Sequence, residues 1–263
     1  MSEKEYNTSI NILGSISDVN VIIETIKHFN KTNSLEDTKE EFVDGNAFGF
    51  DISSSRKRFF SLIKKLYLKD PEDPSNDFFI KSISNNASDS LFKRQLIYLE
   101  TFRKNDLFQD LIVVFIYKKY HENRRLITTS ETLDFLNDYG TDTKLEDLSE
   151  STLKIISSKF IGFMKRINFF EKENRIKSMI AYPYPDEKII SYIVYLLKAA
   201  DLSDNEVYES DLFKALMLND SEKLELLKQG AMAGYYDFDF SGAGNATFTL
   251  NYNQEEIIDE LFR

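Results

Sequence analysis

Cysteine is absent from this chain and histidine is rare. Without cysteine there is no disulfide, no thiol nucleophile and no thiolate zinc site. The two histidines, His28 and His121, are far apart, and no His-Glu-x-x-His pair occurs, so we expect no metal centre. Phosphate-binding loops are also missing, since Gly242-Ala243-Gly244 lacks the third glycine of a dinucleotide loop. We therefore expect no catalytic residues and no cofactor, and predict that the protein is not an enzyme.

Long hydrophobic runs are missing as well. The longest purely apolar run, Leu111 to Ile116, is far shorter than the roughly 20 residues that a membrane span needs. The chain begins Met-Ser-Glu-Lys-Glu-Tyr, which is not a charged-then-apolar signal segment. We expect a cytoplasmic protein that does not bind a membrane. Its 263 residues include 22 phenylalanines and 14 tyrosines, enough bulky side chains for a large core.

Basic residues are a minority in the chain but not in its middle. The whole sequence has 33 lysines and arginines against 44 acids, a net charge of −11. Residues 186–263 contain six basic and sixteen acidic residues, whereas residues 151–185 contain seven basic residues and two acids. Because charge distribution decides binding more than the total does, the middle suits a polyanion, with the acidic part facing away. The acidic part equally permits binding to a basic protein.

The sequence of the middle predicts a helix, a turn, a second helix and a hairpin. Thr129-Ser130 begins the first helix and Tyr139-Gly140 ends it. Ser149 or Ser151 begins the second, and Asn168 to Pro183 predicts a β-wing. An apolar stripe about 100° wide predicts the core-facing side of the second helix: Leu153, Ile156, Phe160, Phe163, Met164 and Ile167. The opposite face holds Ser151, Lys154, Ser158, Gly162, Lys165 and Arg166, interrupted by Ile155.

A basic helix followed by a charged wing suits DNA phosphates and groove edges. The small residues on its polar face would let the backbone come close to a partner. We predict eight DNA-binding residues in this unit: Lys154, Ser158, Lys159, Lys165, Arg166, Lys172, Arg175 and Lys177. The alternative is a solvated basic face on an ordinary helix.

The N-terminal region predicts three helices, beginning at Asp18, Ser34 and Ser53. The third is a second basic helix, and it adds five candidate DNA-binding residues: Arg56, Lys57, Arg58, Lys64 and Lys65. A solvated face explains this cluster at least as well, because like charges also gather on helix surfaces by chance.

The predicted fold is mainly α: a helical bundle with helix-turn-helix or winged-helix-like units and a small C-terminal β-hairpin. Two prolines in Asp70–Asn76 predict a linker, and Pro183 and Pro185 predict a second boundary. Four parts result: a trihelical, helix-turn-helix-like unit (1–74), central helices (75–127), a winged-helix-like unit (128–185), and acidic helices with the hairpin (186–263). Leu107 to Tyr120 is apolar nearly all round, which predicts a helix central to the core.

Several segments resemble the BrxA family of the bacteriophage-exclusion (BREX) defence systems, over nearly the whole length of the chain. They are Tyr6-x-Thr8-Ser9-Ile10 with Gly14, Asn46-x-Phe48-Gly49 before Ser54-Ser55-Arg56-Lys57-Arg58, Gln95-Leu96-Ile97-Tyr98-Leu99 with Asn105-x-Leu107-Phe108, Ser149-x-Ser151-Thr152-x-Lys154, and the closing tyrosine- and phenylalanine-rich hairpin. None is a catalytic signature. Where relatives commonly have glycine before the wing, this chain has Asn168, which also accepts a left-handed conformation.

The resemblance implies a mostly helical, non-enzymatic accessory subunit that binds double-stranded DNA. It would act beside other BREX subunits, a methyltransferase and an ATPase among them, to block phage replication. The fold is also similar to that of all-helical RNA-binding antitermination factors, which keeps RNA open as a ligand. A protein–protein interaction module within a defence complex is the alternative from the residues themselves, because the acidic C-terminal part and exposed aromatics would suit docking.

Overall fold

The structure is a computed structural model that describes residues 6, 8–68, 73–140, 144–181, 184–242 and 245–262. It is mainly α-helical, with two small antiparallel sheets, as the sequence predicts. None of the described helices is both long and apolar enough to cross a lipid bilayer.

The N-terminal region contains the three predicted helices and one that was not predicted. Ser34 caps the second predicted helix by accepting a hydrogen bond from the Asp37 amide at 3.1 Å, which is why the chain turns into a helix there. The unpredicted helix is α1, a five-residue segment without a side-chain cap. The elements are α1 (Ser9–Leu13), α2 (Asn20–Thr32), α3 (Leu35–Lys39) with the π-helical turn Glu40–Asp44, and α4 (Ser53–Ile63) with the π-helical turn Lys64–Leu68.

The central helices begin after the predicted linker, of which residues 69–72 lie outside the described residues. Asn105 lies between the helix that ends at Lys104 and the one that begins at Asp106, and it caps the latter by accepting from the Phe108 amide at 2.8 Å. The elements are α5 (Asn76–Ser84), α6 (Ser90–Lys104), and α7 (Asp106–Asp110), which continues through the π-helical segment Leu111–Ile116 into α8 (Tyr117–His121). Half of this last run is buried, including Leu111, Ile112 and Ile116 of its apolar centre, whereas Val114 is exposed.

The middle of the chain folds as predicted, with one additional strand. The two helices are α9 (Thr129–Gly140) and α10 (Glu150–Arg166), joined through the 3-10 turn Lys144–Asp147. The strands are β1 (Leu126–Thr128), β2 (Phe170–Lys172) and β3 (Lys177–Ile180), which form an antiparallel sheet in the order β1-β3-β2. The predicted wing is the β2–β3 hairpin, and β1 extends it on the other edge of β3, pairing Thr128 with Lys177. Residues 182–183, at the end of the predicted wing, lie outside the described residues.

The acidic C-terminal part consists of helices and the predicted hairpin. Capping explains the start of its first helix, since Asp186 accepts from the Ile189 amide at 3.0 Å. The elements are α11 (Glu187–Ala199), α12 (Asp204–Tyr208), α13 (Asp211–Ala215), α14 (Asp220–Met232), β4 (Tyr236–Phe240), β5 (Ala246–Leu250) and α15 (Gln254–Glu260). In the hairpin, Phe238 lies opposite Phe248, and their rings are stacked at 4.9 Å.

The buried side chains of all these elements form one contiguous core. Polar contacts join its parts as well: the Tyr98 hydroxyl of α6 donates to the carbonyl oxygen of Ala215 in α13 at 2.7 Å. The proposed division into four parts stays a prediction.

A charged network joins Asp73, in the predicted linker, to the last turn of α6. The carboxylate of Asp73 accepts from Arg103 at 2.9 Å and from Lys104 at 2.6 Å. Arg103 also pairs at 2.7 Å with Glu100, which is fully buried. Burial raises the pKa of Glu100, and it also acts to raise the pKa of Asp73, but hydrogen bonds from Lys104 and Ser75 and the charge of Arg103 lower the Asp73 pKa to about 2.

Helix α1 lies between the two predicted basic helices, packing on α4 and on α10. Two hydrogen bonds hold the segment in which it begins. The Tyr6 hydroxyl donates to Asp110 Oδ2 at 2.5 Å, and Asn105 Nδ2 donates to Ser9 Oγ at 2.7 Å. The position of α1 decides how much of each basic helix is accessible.

Candidate nucleic-acid interface

Helix α10 presents its predicted apolar stripe to the core. Ser149 caps its N-terminus by accepting from the Thr152 amide at 3.3 Å. All six predicted core residues are buried: Leu153, Ile156, Phe160, Phe163, Met164 and Ile167. The register inferred from the sequence is therefore confirmed, and the polar face of α10 points away from the core.

Only the N-terminal half of the polar face of α10 is open to solvent. Ser151, Lys154 and Ser158 are exposed, and Ile155 between them is 49% exposed. None of the four hydrogen-bonds or pairs with α1. This half of the helix can therefore reach the edge of a large ligand without rearrangement.

Helix α1 covers the C-terminal half of the same face. A methyl group at Gly14 would lie 2.2 Å from the carbonyl oxygen of Lys159, so the two backbones are in contact only because Gly14 has no side chain. A methyl group at Gly162 would lie 3.6 Å from the carbonyl oxygen of Gly14. The small residues do permit close approach by a partner, as predicted, but the partner is a helix of the same chain.

Arg166 is used for this internal contact. Its Nη1 donates to the carbonyl oxygen of Gly14 at 2.9 Å, the side chain is half-buried, and burial lowers the pKa of its guanidinium. Lys159 and Lys165 are half-buried too. Of the predicted DNA-binding residues on α10, the structure leaves Lys154 and Ser158 as the accessible pair.

The wing turns back from the end of α10. Asn168 adopts the left-handed conformation that it was predicted to accept, with φ of 63°. Phe170 of β2 then packs edge-to-face on Phe160, with ring centroids 6.0 Å apart, so the strand returns along the helix. The predicted wing residues Lys172, Arg175 and Lys177 are all exposed.

The tip of the wing is a hydrogen-bonded turn. The side-chain oxygen of Asn174 accepts from the amides of Ile176 and Lys177, each at 2.9 Å. The amides of Glu173 and Asn174 donate to the carbonyl oxygen of Lys177 at 3.2 and 3.1 Å. Four bonds therefore fix a turn whose outermost apolar side chain, Ile176, is 75% exposed.

Helix α9 is fixed to the preceding helix and strand by Glu131. Its carboxylate accepts from Lys119 of α8 at 2.7 Å and from the Thr128 amide at 3.0 Å, while Thr128 Oγ1 accepts from the Glu131 amide. Partial burial acts to raise the pKa of Glu131, but these hydrogen bonds lower it below its ordinary value. The turn between β1 and α9 is thus rigid, although no local pattern in the sequence predicts the three-residue strand β1 before it.

The predicted DNA-binding residues of the N-terminal basic helix also differ in their exposure. Arg56 donates to the carbonyl oxygen of Phe50 at 2.6 Å and is half-buried, so it closes the turn before α4. The other four predicted residues are exposed: Lys57, Arg58, Lys64 and Lys65. Arg58 lines a cavity of about 180 Å³ between α1 and α4, with Asn11, Ser15 and Ser55.

Two further arginines are near the sheet but away from the wing tip. Arg124 and Arg125 precede β1, and the Ile180 amide donates to the carbonyl oxygen of Arg125 at 2.8 Å. Because β1 is antiparallel to β3, they lie at the end of the sheet opposite the turn. Arg125 stacks on the Tyr120 ring at 4.6 Å, and Arg124 pairs with Glu122. Neither extends the candidate interface.

The histidines and the acidic strand residues take no part in this surface. His28 contacts Thr38 Oγ1 at 3.4 Å and the Phe42 ring, and His121 contacts the carbonyl oxygen of Met217 at 3.1 Å. Asp237 and Asp239 project from β4 into solvent. Within the described residues, no group of histidines and acids is arranged to hold a metal ion.

A family model described as BrxA matches residues 4–195 of the chain. The match includes α1, both basic helices and the wing, and it ends within α11, so the remaining C-terminal helices and the hairpin lie beyond it. No curated protein and no solved structure matches the chain.

Proposed function

Because the chain belongs to the BrxA family, which places it in BREX phage defence, we propose that it acts there as a non-enzymatic accessory subunit that binds double-stranded DNA. One observation carries the proposal. Lys154 and Ser158, on the accessible half of α10, and the basic wing belong to one packed unit, because β2 of the wing packs on α10, while α1 covers part of the remaining helix.

The order of elements supports this assignment. A helix (α8), a strand (β1), two helices (α9 and α10) and a hairpin (β2 and β3) follow one another as in winged-helix DNA-binding units. In helix-turn-helix proteins the second helix enters the major groove with its N-terminal residues against base edges. The accessible half of α10 is its N-terminal half, which fits that mode of docking.

The charges of the surface support it as well. Lys154, Lys172, Arg175 and Lys177 are exposed, and none of them pairs with an acid among the described residues. Free cations on a surface are the groups that replace condensed counterions on DNA phosphates. The basic helix α4 lies on the far side of α1, and its exposed residues would lengthen the footprint.

A protein-docking role remains the second candidate, and the acidic C-terminal part favours it. Tyr184, at its edge, is 77% exposed, and residues 186–263 carry a large excess of acids. Docking to another BREX subunit, such as the methyltransferase or the ATPase, would use this part. It is compatible with DNA binding by the wing on the same chain.

Binding to labelled 20-base-pair duplex DNA, single-stranded DNA and duplex RNA tests the proposal by fluorescence anisotropy. We expect duplex DNA to bind best, and the variant with Lys154, Arg175 and Lys177 changed to Glu to bind at least tenfold more weakly at moderate salt. The matched control changes Lys31, Lys39 and Lys228 to Glu, three exposed lysines elsewhere. Equal binding by both variants would contradict the proposal, and a preference for duplex RNA would replace DNA by RNA as the ligand.

A further inference from the structure

We infer that Ile176 is an apolar wedge that enters the minor groove of bound DNA and unstacks a base step, bending the duplex. The inference rests on the proposed DNA binding and adds a specific role to a residue without charge. It is carried by three observations: the exposure of Ile176, the rigidity of its turn, and the two cations beside it.

The exposure of Ile176 is unusual in this chain. At 75% exposed it is the most solvent-accessible of the described isoleucine, leucine and valine side chains. Ile180, four residues later on β3, is 1% exposed. A branched apolar side chain in water gains free energy when another surface covers it. No other element of the described chain lies over the turn.

The turn is rigid enough to drive a side chain between bases. Asn174 Oδ1 accepts from the amide of Ile176 itself and from the next amide, and the carbonyl oxygen of Lys177 accepts from two preceding amides. Ile176 also has a β-branched side chain, with few rotamers to lose. Insertion would therefore cost little ordering entropy, which is what a wedge needs.

The neighbours of Ile176 define what covers it. Arg175 and Lys177 flank it, both exposed and neither paired with an acid among the described residues. A covering surface must therefore offer negative charge on both sides of an apolar slot. Two phosphate backbones flanking stacked bases have that arrangement, and apolar side chains inserted from the minor groove unstack base steps and kink DNA. Pyrimidine–purine steps such as TA deform most easily, so they are the expected sites.

The experiment uses the full chain, a duplex with 2-aminopurine at a central TA step, and a second duplex labelled at both ends for energy transfer. On binding of the unaltered protein we expect 2-aminopurine fluorescence to rise and the ends to approach. Ile176→Ala should abolish both signals and weaken binding about tenfold, since it removes three carbons from the contact. Leu126→Ala, a comparable truncation of a 42% exposed residue on β1, should leave both signals unchanged.

The outcomes separate the wedge from DNA binding itself. Binding by the unaltered protein without either signal overturns the wedge alone, as does an Ile176→Ala variant that keeps both signals. Absence of duplex binding by the unaltered protein, measured by anisotropy in the same samples, overturns the proposed function and the wedge together. Loss of both signals in the Leu126→Ala variant would also overturn the wedge, because the effect would not be specific to the tip.

Discussion

The guanidinium of Arg166 donates a hydrogen bond to the backbone carbonyl oxygen of Gly14, 152 residues away in the chain, at 2.9 Å. The bond joins the last turn of α10 to the end of α1. Arg166, which the sequence predicts as a DNA-binding residue, therefore has a structural role. A charged side chain on a helix surface can therefore serve a contact within the chain.

Replacing Arg166 by Ala should affect stability more than DNA binding. Loss of a hydrogen bond from a charged, half-buried group should lower the free energy of unfolding by about 1–2 kcal/mol. Urea denaturation measures this, and anisotropy with duplex DNA should show less than a threefold change. A variant that unfolds like the parent but binds DNA tenfold more weakly would make Arg166 a DNA contact.

Gly14→Ala should destabilise the protein far more than Gly162→Ala does. The added methyl at Gly14 would overlap backbone of α10, which has no room to move, so we expect a loss of about 2–4 kcal/mol. At position 162 the nearest atom, 3.1 Å away, is the flexible end of Arg166, and alanine favours a helix by about 1 kcal/mol over glycine. Chemical denaturation of both variants compares them directly. Equal losses would show that α1 does not pack closely on α10.

The Asp73 network should make stability fall in acid. The folded-state pKa of Asp73 is about 2, below the value of about 3.9 for an unperturbed aspartate. Its contribution is therefore present above pH 4 and is lost as the pH falls from about 4 to about 2. Asp73→Asn should cost about 1–2 kcal/mol at pH 7 and much less near pH 2.

Denaturation at several pH values checks this, with the exposed Asp237→Asn as the control that should not change the profile. A cost of Asp73→Asn that is the same at pH 7 and pH 2 would show that the ionised carboxylate contributes nothing.

The slope of DNA affinity against salt concentration should reflect the number of accessible basic residues that contact phosphates. With four free basic residues on α10 and the wing, the logarithm of affinity should fall against the logarithm of salt concentration with a slope of about −3 to −4. Lys154→Ala should reduce the magnitude of the slope by about 0.9, because one phosphate contact is lost. Lys65→Ala gives the corresponding test for the π-helical turn that continues α4. Salt titrations followed by anisotropy measure the slope for the unaltered protein and for both variants. An unchanged slope for Lys154→Ala would place that lysine outside the interface.

We expect the purified protein to show no nuclease, phosphatase or methyltransferase turnover, with or without divalent metal. The expectation follows from the sequence, which contains no phosphate-binding loop and no metal-ligand motif. Assays on labelled duplex DNA and a phosphate ester check it. Metal-dependent turnover that disappears in the Asp237→Asn and Asp239→Asn double variant would identify an active site on the hairpin.

Local signals in the sequence were sufficient for most helices of this fold. Ser34 and Ser149 are caps whose side chains accept amide hydrogens, and such residues mark helix starts without help from the rest of the chain. Asn168 was correctly expected to take a left-handed turn, because its short polar side chain tolerates that conformation. All six residues of the stripe predicted for α10 are buried, since burial of one face repeats with the period of the helix, but the stripe left out Ile161, which is buried as well.

Contacts between distant segments were beyond these signals. Helix α1 has five residues and no side-chain cap, so neither periodicity nor capping marked it. Periodicity shows which face of α10 is apolar, but not that α1 would cover part of the polar face. The only sequence sign was the pair of glycines, Gly14 and Gly162, and their role as a contact appears only when both positions are seen in space.

The seating of α1 on α10 has a practical consequence for anyone who tries to cut this protein into smaller pieces. A recombinant fragment limited to residues 106–185 would contain α9, α10 and the sheet of β1, β2 and β3, but not α1. It would then expose the part of α10 that α1 now covers, where Gly14 lies against the backbone of Lys159. We expect such a fragment to be less soluble than the whole chain, so a shortened version should keep α1 together with α10 and the wing.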